Sequence, residues 1–397
     1  MRLLMIALLL ALSLPARAET FDEFIRAFEA DAIAAGVSRE VYRRATDGLT
    51  ADPSIPKLVE TQPEFTTPIW DYLDARITND RVKRGRAAIE RNRALFEAVG
   101  KRLGVDPYIL AAIWGVETDY GAVLGNSKLI KPIIRSLASI TYQKRVRFAA
   151  DRGDFIAALL LVQRGPLDAQ TLVGSWAGAI GHHQVNPSNV IAHGSDGDGD
   201  GRVDLHNSLP DALATSAKFL LDIGYSPGFD WGFEVEVPAG FDWLLAGRET
   251  LRPISFFAER GVSRVKGRAF ADPGIPVFLY APAGRSGPVF LMTNNYLVLK
   301  GYNFSDSYAL SVAHLADRLK GGGGFVQSWP RGTALPNLAQ RTTIQARLKE
   351  LGFYDGAVDG RIGPISQAAY ARFQASRGLP ADGFITRKSF DELIAAR

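Results

Sequence analysis

One glutamate stands at the end of an apolar run with helical spacing. The apolar positions are Ile109, Leu110, Ile113 and Val116. Glu117 follows Ile113 by four residues, which places its carboxyl on the apolar side of a helix. Apolar surroundings disfavour a charged carboxylate, so we expect a raised pKa for Glu117, and protonation of a glycosidic oxygen needs such an acid. The alternative is a boundary glutamate paired with an arginine, and this segment alone leaves both open.

A second segment combines small residues with neutral polar side chains. It runs from Gly174 to Gly181 and continues to Ser188. Small residues let the backbone approach another backbone or a ligand closely. Ser175 and Gln184 are suited to hydrogen-bonding the amides and hydroxyls of a sugar. Tight helix packing is the other explanation, and spacing does not exclude it.

A third segment alternates aspartate and glycine. Asp196, Asp198 and Asp200 stand at positions 1, 3 and 5 of a loop whose seventh residue, Arg202, offers a backbone carbonyl. Oxygen ligands in this spacing suit a hard cation such as Ca²⁺. Asn207 stands where the usual glutamate would close the loop, so an acidic turn without a metal stays open.

These segments lie in a region with mainly helical periods, from Phe21 to about Leu221. Between Trp231 and Tyr302 short apolar runs alternate with Gly and Pro, which predicts a small β-region. The predicted strands are 233–237, 276–280 and 289–292, and a helix is expected over 307–319. The fold class is therefore mainly α with a small β part (α+β).

Four glycines begin a Gly- and Pro-rich stretch, residues 321–337, which predicts a flexible linker. Residues 338–397 then form a compact unit, predicted as a three-helix module. Its D-G turns lead to Ser366 and Thr386, which could cap helices. Its expected core is Leu348, Leu351, Phe353, Phe373, Leu379, Phe384 and Phe390.

Residues 1–18 read as a secretory signal, with Arg2, an apolar run and the Ala16-Arg17-Ala18 cleavage site. The run is too short to span a membrane comfortably. The chain has no cysteine, which excludes disulfides, thiol nucleophiles and a lipidated cysteine. The net charge of +4 falls to +2 when Arg2 and Arg17 leave with the signal. That value gives no reason to expect binding to nucleic acid.

Residues 20–320 resemble soluble lytic transglycosylases of the membrane-bound lytic transglycosylase B type. The matching motifs, in order, are QPEF (62–65), GVETDYG around Glu117, GSWAGAIGHHQVNPS, DGDGDGRVDL and GYNFSDSYALSVAHLADRL. The resemblance implies a catalytic domain over 19–320 with a lysozyme-like core at about 95–225. It also implies cleavage of the MurNAc-GlcNAc linkage of peptidoglycan without water, which leaves 1,6-anhydro-MurNAc ends.

The resemblance assigns roles to individual residues. Glu117 would protonate the leaving oxygen and then remove a proton from the muramic C6 hydroxyl. Ser175, Gln184 and Tyr302 match substrate-binding positions, and Asp211 would close the structural Ca²⁺ loop. Most glycosidases use two carboxylates. The acid near Glu117 in sequence is Asp119, which faces elsewhere on a helix.

Some residues depart from the family's pattern. Val185-Asn186 follow Gln184 where an aromatic or aliphatic pair is usual, and His182 and His183 precede it as groove or surface residues. Lys218-Phe219 stand where the family commonly has Asn-Tyr. A tyrosine hydroxyl is therefore expected to be missing from the groove, which affects substrate preference more than reaction type.

The C-terminal unit resembles the first class of peptidoglycan-binding domain, through IQARLKELGFYDGAVDGRIGP and AYARFQASRGLPADGFITRKSF. This implies wall binding, and Asp359, Gly360 and Arg361 are the polar positions of interest. The sequence thus predicts a monomeric periplasmic lytic transglycosylase that binds peptidoglycan strands. A hydrolytic muramidase and a non-catalytic wall-binding scaffold are the alternatives, which product chemistry and a Glu117→Gln variant would separate.

Overall fold

Helices account for most of the chain in a computed structural model that describes residues 19–60, 67–144, 147–165 and 168–395. Within these ranges the first eleven helices are α1 (Phe21–Ala34), α2 (Arg39–Thr46), α3 (Ile55–Glu60), α4 (Ile69–Arg76), α5 (Asn79–Arg91), α6 (Arg93–Leu103), α7 (Pro107–Thr118), α8 (Ile133–Tyr142), α9 (Phe148–Arg164), α10 (Pro187–His193) and α11 (Leu209–Asp222). Those that follow are α12 (Ile254–Ala258), α13 (Asn294–Asn303), α14 (Asp306–Leu319), α15 (Leu338–Glu350), α16 (Pro364–Ser376) and α17 (Arg387–Ala395). The predicted mainly helical class with a small sheet is confirmed.

The helix that carries Glu117, α7, is buried on almost every side. Asp106 caps it by accepting a hydrogen bond from the Tyr108 N–H at 2.9 Å, and Pro107 fills the first helical position, as predicted. All residues from 109 to 116 are buried. The helix packs against α14, α5, α6 and α11. Because α7 is enclosed in this way, it holds Glu117 on a rigid support.

A second helical layer packs beside this one. Helices α1, α2, α8, α9 and α10 share an apolar core that includes Phe24, Phe28, Leu137, Phe155 and Leu159. A short antiparallel pair joins β1 (Lys131–Pro132), which precedes α8, to β2 (Val173–Gly174), which lies in the loop between α9 and α10. Isolated bridges join Gly174 to Ile180 and Ile180 to Val185. The small-residue segment is therefore a tightly folded loop and not a helix.

An antiparallel sheet of five strands forms the β-region. Its strands are β3 (Gly232–Glu236), β4 (Arg252–Pro253), β5 (Ser263–Arg264), β6 (Pro276–Tyr280) and β7 (Val289–Met292), in the order β4-β6-β7-β3-β5. Phe233 pairs with Leu291, and Leu279 pairs with Leu291 from the other side. The three predicted strands are confirmed, the first of them one residue earlier. The last part of the predicted β-region, from residue 294 onward, forms helix α13 instead of a strand.

The stretch 321–337, called the linker below, is bonded to the catalytic part. The Glu234 carboxylate accepts hydrogen bonds from the N–H groups of Val326 (2.9 Å) and Gln327 (2.8 Å). Phe325 stacks on His314 with ring centroids 3.9 Å apart. The prediction of a flexible linker was therefore wrong over these residues. A composition rich in glycine indicates freedom of the local backbone. It does not reveal the partners of the linker, which lie on β3 and α14, and sequence spacing does not connect these elements to the linker.

Helices α15, α16 and α17 form the predicted C-terminal module around Ile344, Leu348, Tyr370, Phe373 and Leu393. The module contacts the β-region, where the Arg285 N–H donates to the Asp382 carboxylate at 3.1 Å. α16 also lies against the short 3-10 turn Trp243–Leu245. The two parts of the chain are thus in direct contact.

Two predictions for this module were wrong in detail. Ser366 lies inside α16, where Gly363 takes the cap position and Pro364 the first turn, and its hydroxyl accepts a hydrogen bond from Gln345. Leu379 is exposed, and neither Leu379 nor Phe384 belongs to the core. Thr386 does cap the last helix, because its hydroxyl accepts from the Ser389 N–H at 3.4 Å.

The predicted secretory signal, residues 1–18, and the QPEF motif, residues 62–65, lie outside the described residues. Among the helices that the structure describes, none combines the length and the apolar character that crossing a bilayer requires.

Candidate active site

Glu117 lies one residue before the end of α7 and is partly exposed. Helix α7 stops because Asp119 and Tyr120 both take left-handed backbone angles, with φ of 54° and 59°. The Asp119 carboxylate turns away to α5, where it is 3.1 Å from Arg81 Nε and 2.6 Å from Arg84 Nη1. These guanidinium groups outweigh burial and lower the pKa of Asp119. Asp119 therefore stays ionised and anchors the helix end.

Two tyrosines lie within electrostatic range of Glu117. Burial, and next the negative charge of Glu117, raise the pKa of both Tyr302 and Tyr308. The two rings are stacked, with centroids 6.2 Å apart and planes 6° from parallel. The Tyr308 side chain is fully buried, whereas Tyr302 is partly exposed. Both phenols therefore remain neutral, and they form one wall beside the carboxyl.

The loop with Ser175 and Gln184 is built from close backbone contacts. The Ser175 hydroxyl accepts from the Ala179 N–H at 3.1 Å, and the Gln184 side-chain amide donates to the Gly181 carbonyl at 2.9 Å. Gln184 has a φ of 49°, and a Cβ on Gly181 would lie 1.9 Å from the Leu205 carbonyl oxygen. Tight packing thus explains the glycines. Ser175 and Gln184 are nevertheless partly exposed polar side chains.

Hydrogen bonds tie this loop to the end of α7. The Thr118 hydroxyl donates to the His182 carbonyl at 2.7 Å, and the Trp114 indole donates to His182 Nδ1 at 3.0 Å. Thr118 follows Glu117 directly, and His182 precedes Gln184 by two residues. The loop and the predicted acid are therefore held in a fixed relation.

A buried polar chain supports the tyrosine wall. The Tyr302 hydroxyl donates to the His183 carbonyl at 2.8 Å and lies 3.1 Å from the Ser216 hydroxyl, which in turn is 2.7 Å from His183 Nδ1. Burial lowers the pKa of His183 to about 3 and that of His182 to about 4, so both rings are neutral near pH 7. His183 is therefore an interior residue, whereas His182 is partly exposed.

Sequence reasoning missed Ser216. It lies on the buried face of α11, among positions such as Leu213 and Leu220 that are apolar and fully buried. A polar residue on an apolar helix face is the signal that could have identified it. The Tyr302 hydroxyl is engaged inside the protein, so its ring is the part that faces outward.

A cavity of about 440 Å³ lies next to this wall. Phe219 lies between the rings of Tyr302 (5.1 Å) and His193 (4.8 Å). Phe304 and Ile223 also line the cavity and are exposed. Lys218 is paired with Asp222 outside the cavity. Phe219 therefore offers a ring where the family commonly has a phenol, and the wall continues as an apolar surface.

The aspartate-rich loop brings three of its predicted ligands together. Carboxylate oxygens of Asp196, Asp198 and Asp211 lie within 4.8 Å of one another. Asp200 is outside this group, and its carboxylate accepts from the Arg202 N–H at 2.8 Å. Hydrogen bonds from the N–H groups of the following glycines lower the pKa of Asp196. A cluster of ionised oxygen ligands fits a hard cation such as Ca²⁺.

The shape of this loop is held from within. The two oxygens of Asp211 accept hydrogen bonds from the N–H groups of Gly197 (2.7 Å) and Asp204 (2.8 Å). The Leu205 carbonyl accepts from the His182 N–H at 2.9 Å. The loop is thus linked through Leu205 to the segment that carries Gln184.

Residues 20–317 match the family of the transglycosylase SLT domain, which is three quarters of the chain. The chain belongs to this family. Residues 337–393 match the family of peptidoglycan binding domains. This match confirms the family resemblance and the lysozyme-like fold that were predicted from the sequence. At the level of the family it also confirms the enzyme class, the lytic transglycosylases of peptidoglycan.

Relatives of this SLT family member include the membrane-bound lytic murein transglycosylase B of Escherichia coli (strain K12), which is 26% identical over 246 residues. That match covers 62% of this chain and 65% of the relative, so the chain spans just under two thirds of that protein.

Solved structures are similar as well. The crystal structure of SltB3 from Pseudomonas aeruginosa in complex with NAG-anhNAM-pentapeptide is 37% identical and has a TM-score of 0.87, covering 95% of this chain and all of that one. The Escherichia coli lytic transglycosylase Slt35 in complex with calcium shares the fold at 23% identity and a TM-score of 0.62, over 77% of this chain and 94% of that one.

Proposed function

We propose that the chain is a lytic transglycosylase that cleaves the β-1,4 linkage between MurNAc and GlcNAc in peptidoglycan, with Glu117 as its acid and base. The observation that carries this proposal is the position of Glu117. It ends a buried helix, faces a wall of neutral tyrosines, and is bonded through Thr118 to the loop with Gln184. Family membership supports the reaction class, and this geometry supports Glu117 as the residue.

The reaction needs one group that first donates and then accepts a proton. Protonated Glu117 gives its proton to the glycosidic oxygen as the bond from muramic C1 to that oxygen breaks, and GlcNAc leaves with a free hydroxyl. The muramic C6 oxygen then forms a bond to C1. Its proton passes to the Glu117 carboxylate, which restores the acid, so no water is consumed.

Asp119 does not serve as a second carboxylate in this proposal. Its two oxygens are bound to Arg81 and Arg84 on the other side of α7. A hydrolase of the usual kind needs a second carboxylate beside the sugar, as base or nucleophile. The engagement of Asp119 therefore favours the intramolecular route over a muramidase reaction.

The substrate would lie along the loop and the tyrosine wall. Ser175 and Gln184 offer partly exposed polar groups, and Tyr302 offers a ring face. Asp196, Asp198 and Asp211 would hold Ca²⁺ in a structural role, which fixes the loop behind the Gln184 segment. Secretion to the periplasm, action as a monomer and binding of the C-terminal module to the wall complete the proposal.

The test is mass spectrometry of the soluble fragments released from purified sacculi. The wild-type protein should release fragments ending in 1,6-anhydro-MurNAc, and Glu117→Gln should release none. Glu97→Gln is the matched control because its side chain is 69% exposed, and it should act like the wild type. Reducing ends would make the protein a muramidase. Binding to sacculi without release by the wild type would leave only a wall-binding protein.

A further inference from the structure

A cavity of about 380 Å³ lies where the linker begins, away from Glu117. We call it the linker cavity. Residues 232–234 of β3 form its floor, because β5 pairs only with Val235 and Glu236 and leaves the rest of that strand edge without a neighbour. The turn after β5, the C-terminal end of α14 and residues 322–326 form its walls.

One wall carries three cations, of which Arg264 is also attracted by the charges of Asp230 and Asp317. Arg264, Lys266 and Arg268 line the cavity, and within the described part of the chain none of them forms an ion pair. The Arg264 guanidinium stacks over the Phe233 ring at 4.6 Å, and its buried Nε atom has no hydrogen-bond partner. Burial, and next the charge of Arg268, lower the pKa of Arg264. An anion bound between the Arg264 and Arg268 guanidinium groups would accept a hydrogen bond from the Arg264 Nε atom. It would also offset the repulsion between the two positive charges.

Another wall carries two acids. Asp317 and Asp230 line the linker cavity, and neither is within ion-pair distance of a described lysine or arginine. Lys320 also lines the cavity, and its ammonium is paired with Asp106 while it attracts both acids from a greater distance. Burial raises the pKa of Asp317 to about 6, although a hydrogen bond from the Trp231 side chain opposes this. A cation bound here would stabilise the carboxylate. The cavity therefore presents a positive and a negative side to one ligand.

The size of the cavity agrees with a ligand larger than a single small ion. A water molecule takes about 30 Å³, and pockets for small organic molecules begin near about 300 Å³. Phosphate would occupy the cationic wall and make no favourable contact with Asp230 and Asp317. A group that carries both charges would satisfy both walls.

We propose that the linker cavity binds an amino-acid end group that has a free carboxylate and a free ammonium. Arg264 and Arg268 bind the carboxylate, and Asp230 and Asp317 bind the ammonium. The diamino acid of a peptidoglycan stem peptide ends in such a group, so this choice of ligand rests on the proposed function. The site would let the enzyme distinguish stem peptides with a free diamino-acid end from cross-linked ones.

Isothermal titration calorimetry with a glycan-free stem tetrapeptide containing meso-diaminopimelate tests the proposal. The full-length protein carries Glu117→Gln in every sample. The double variant Arg264→Gln, Arg268→Gln should weaken binding about tenfold or more, as expected for loss of a charge-assisted contact. The control is Arg252→Gln, Arg260→Gln, since both of these arginines stack on Phe256 outside the linker cavity. The control should bind within about twofold of the parent.

The second arm changes the ligand. Acetylation of the free amine of the diaminopimelate, or amidation of the free carboxylate at the same end of that residue, should weaken binding to the parent about tenfold. Asp317→Asn should lose the preference for the free amine and keep that for the free carboxylate, and thermal unfolding shows whether each variant is folded. The proposal is overturned if the parent does not bind the peptide, if both double variants bind alike, or if inorganic phosphate binds and the peptide does not. Since the peptide has no glycan, peptide binding without anhydro products counts against the proposed function alone.

Discussion

Replacing Thr118 by valine should damage both stability and catalysis, because this one hydroxyl connects the catalytic helix to the substrate loop. Valine keeps the size and shape and removes only the hydroxyl. The His182 carbonyl then loses its donor at 2.7 Å, and the Gly121 N–H loses its acceptor at 3.2 Å. A fully buried polar group left without a partner costs about 1–3 kcal/mol. Because both of these bonds are only partly buried, we expect a loss of about 2–4 kcal/mol in total and a fall in Tm of about 3–6 °C.

The effect on rate follows from the loop's position. Without this bond the segment with Gln184 can shift relative to Glu117, and a displacement of about 1 Å can cost about 100-fold in rate. We expect kcat on sacculi or soluble glycan strands to fall by about 10–100-fold at a temperature where the variant is folded. Thr118→Ser, which keeps the hydroxyl, should restore most of the rate.

Thr141→Val is the matched control. Thr141 is as deeply buried as Thr118, at 0% against 1% exposed, and its hydroxyl bonds to the Leu137 and Asp151 carbonyls on the other helical layer. It should lose stability to a similar extent and keep kcat within about twofold of the wild type. The reasoning is refuted if folded Thr118→Val keeps the wild-type rate, or if Thr141→Val loses as much of it.

Three further outcomes are expected. Calcium at a hundred times its Kd should stabilise the wild type and Asp200→Asn by about 2.7 kcal/mol in thermal or urea unfolding, and Asp211→Asn not at all, whereas equal stabilisation of both variants would contradict the site. Asp119→Asn should lower the unfolding free energy by on the order of 1 kcal/mol. Because the pKa of Asp119 is lower in the folded state, that difference should be constant above about pH 5 and shrink as the pH falls below about 4, and a difference that grows in acid would refute the ion pairs. Glu234→Gln should speed proteolysis within the linker, while Glu236→Gln, on the same strand but exposed, should leave it unchanged.

Much of the site could be predicted because its signals are local. The Asp106-Pro107 start of α7, the apolar face that follows and the placement of Glu117 all depend on residues within three turns of one helix. Three of the five strands of the sheet, β3, β6 and β7, were recognised in the same way, and the two-residue strands β4 and β5 were not. The carboxylates of Asp196 and Asp198 lie close together, as their spacing suggests, and their role as metal ligands stays a prediction.

What could not be predicted depends on contacts between distant residues. The linker is ordered because the Glu234 carboxylate, 92 residues earlier, accepts its N–H groups. The bond between Ser216 and Tyr302 spans 86 residues, and the contact of His183 with Ser216 spans 33. A single sequence contains no periodicity that reports such pairs, so the full burial of His183, expected in a groove or at the surface, could not be predicted.

The most direct test of the central claim is digestion of sacculi in water enriched in oxygen-18, with the products analysed by mass spectrometry. If Glu117 protonates the leaving sugar and then takes the proton of the muramic C6 hydroxyl, with no water involved, the released ends are lighter than hydrolysed ends by one water and carry no oxygen-18. Glu117→Gln should give no products, and Glu97→Gln should give the wild-type pattern. Products that contain one oxygen-18 at a reducing muramic end would show that water attacks, and would contradict the account.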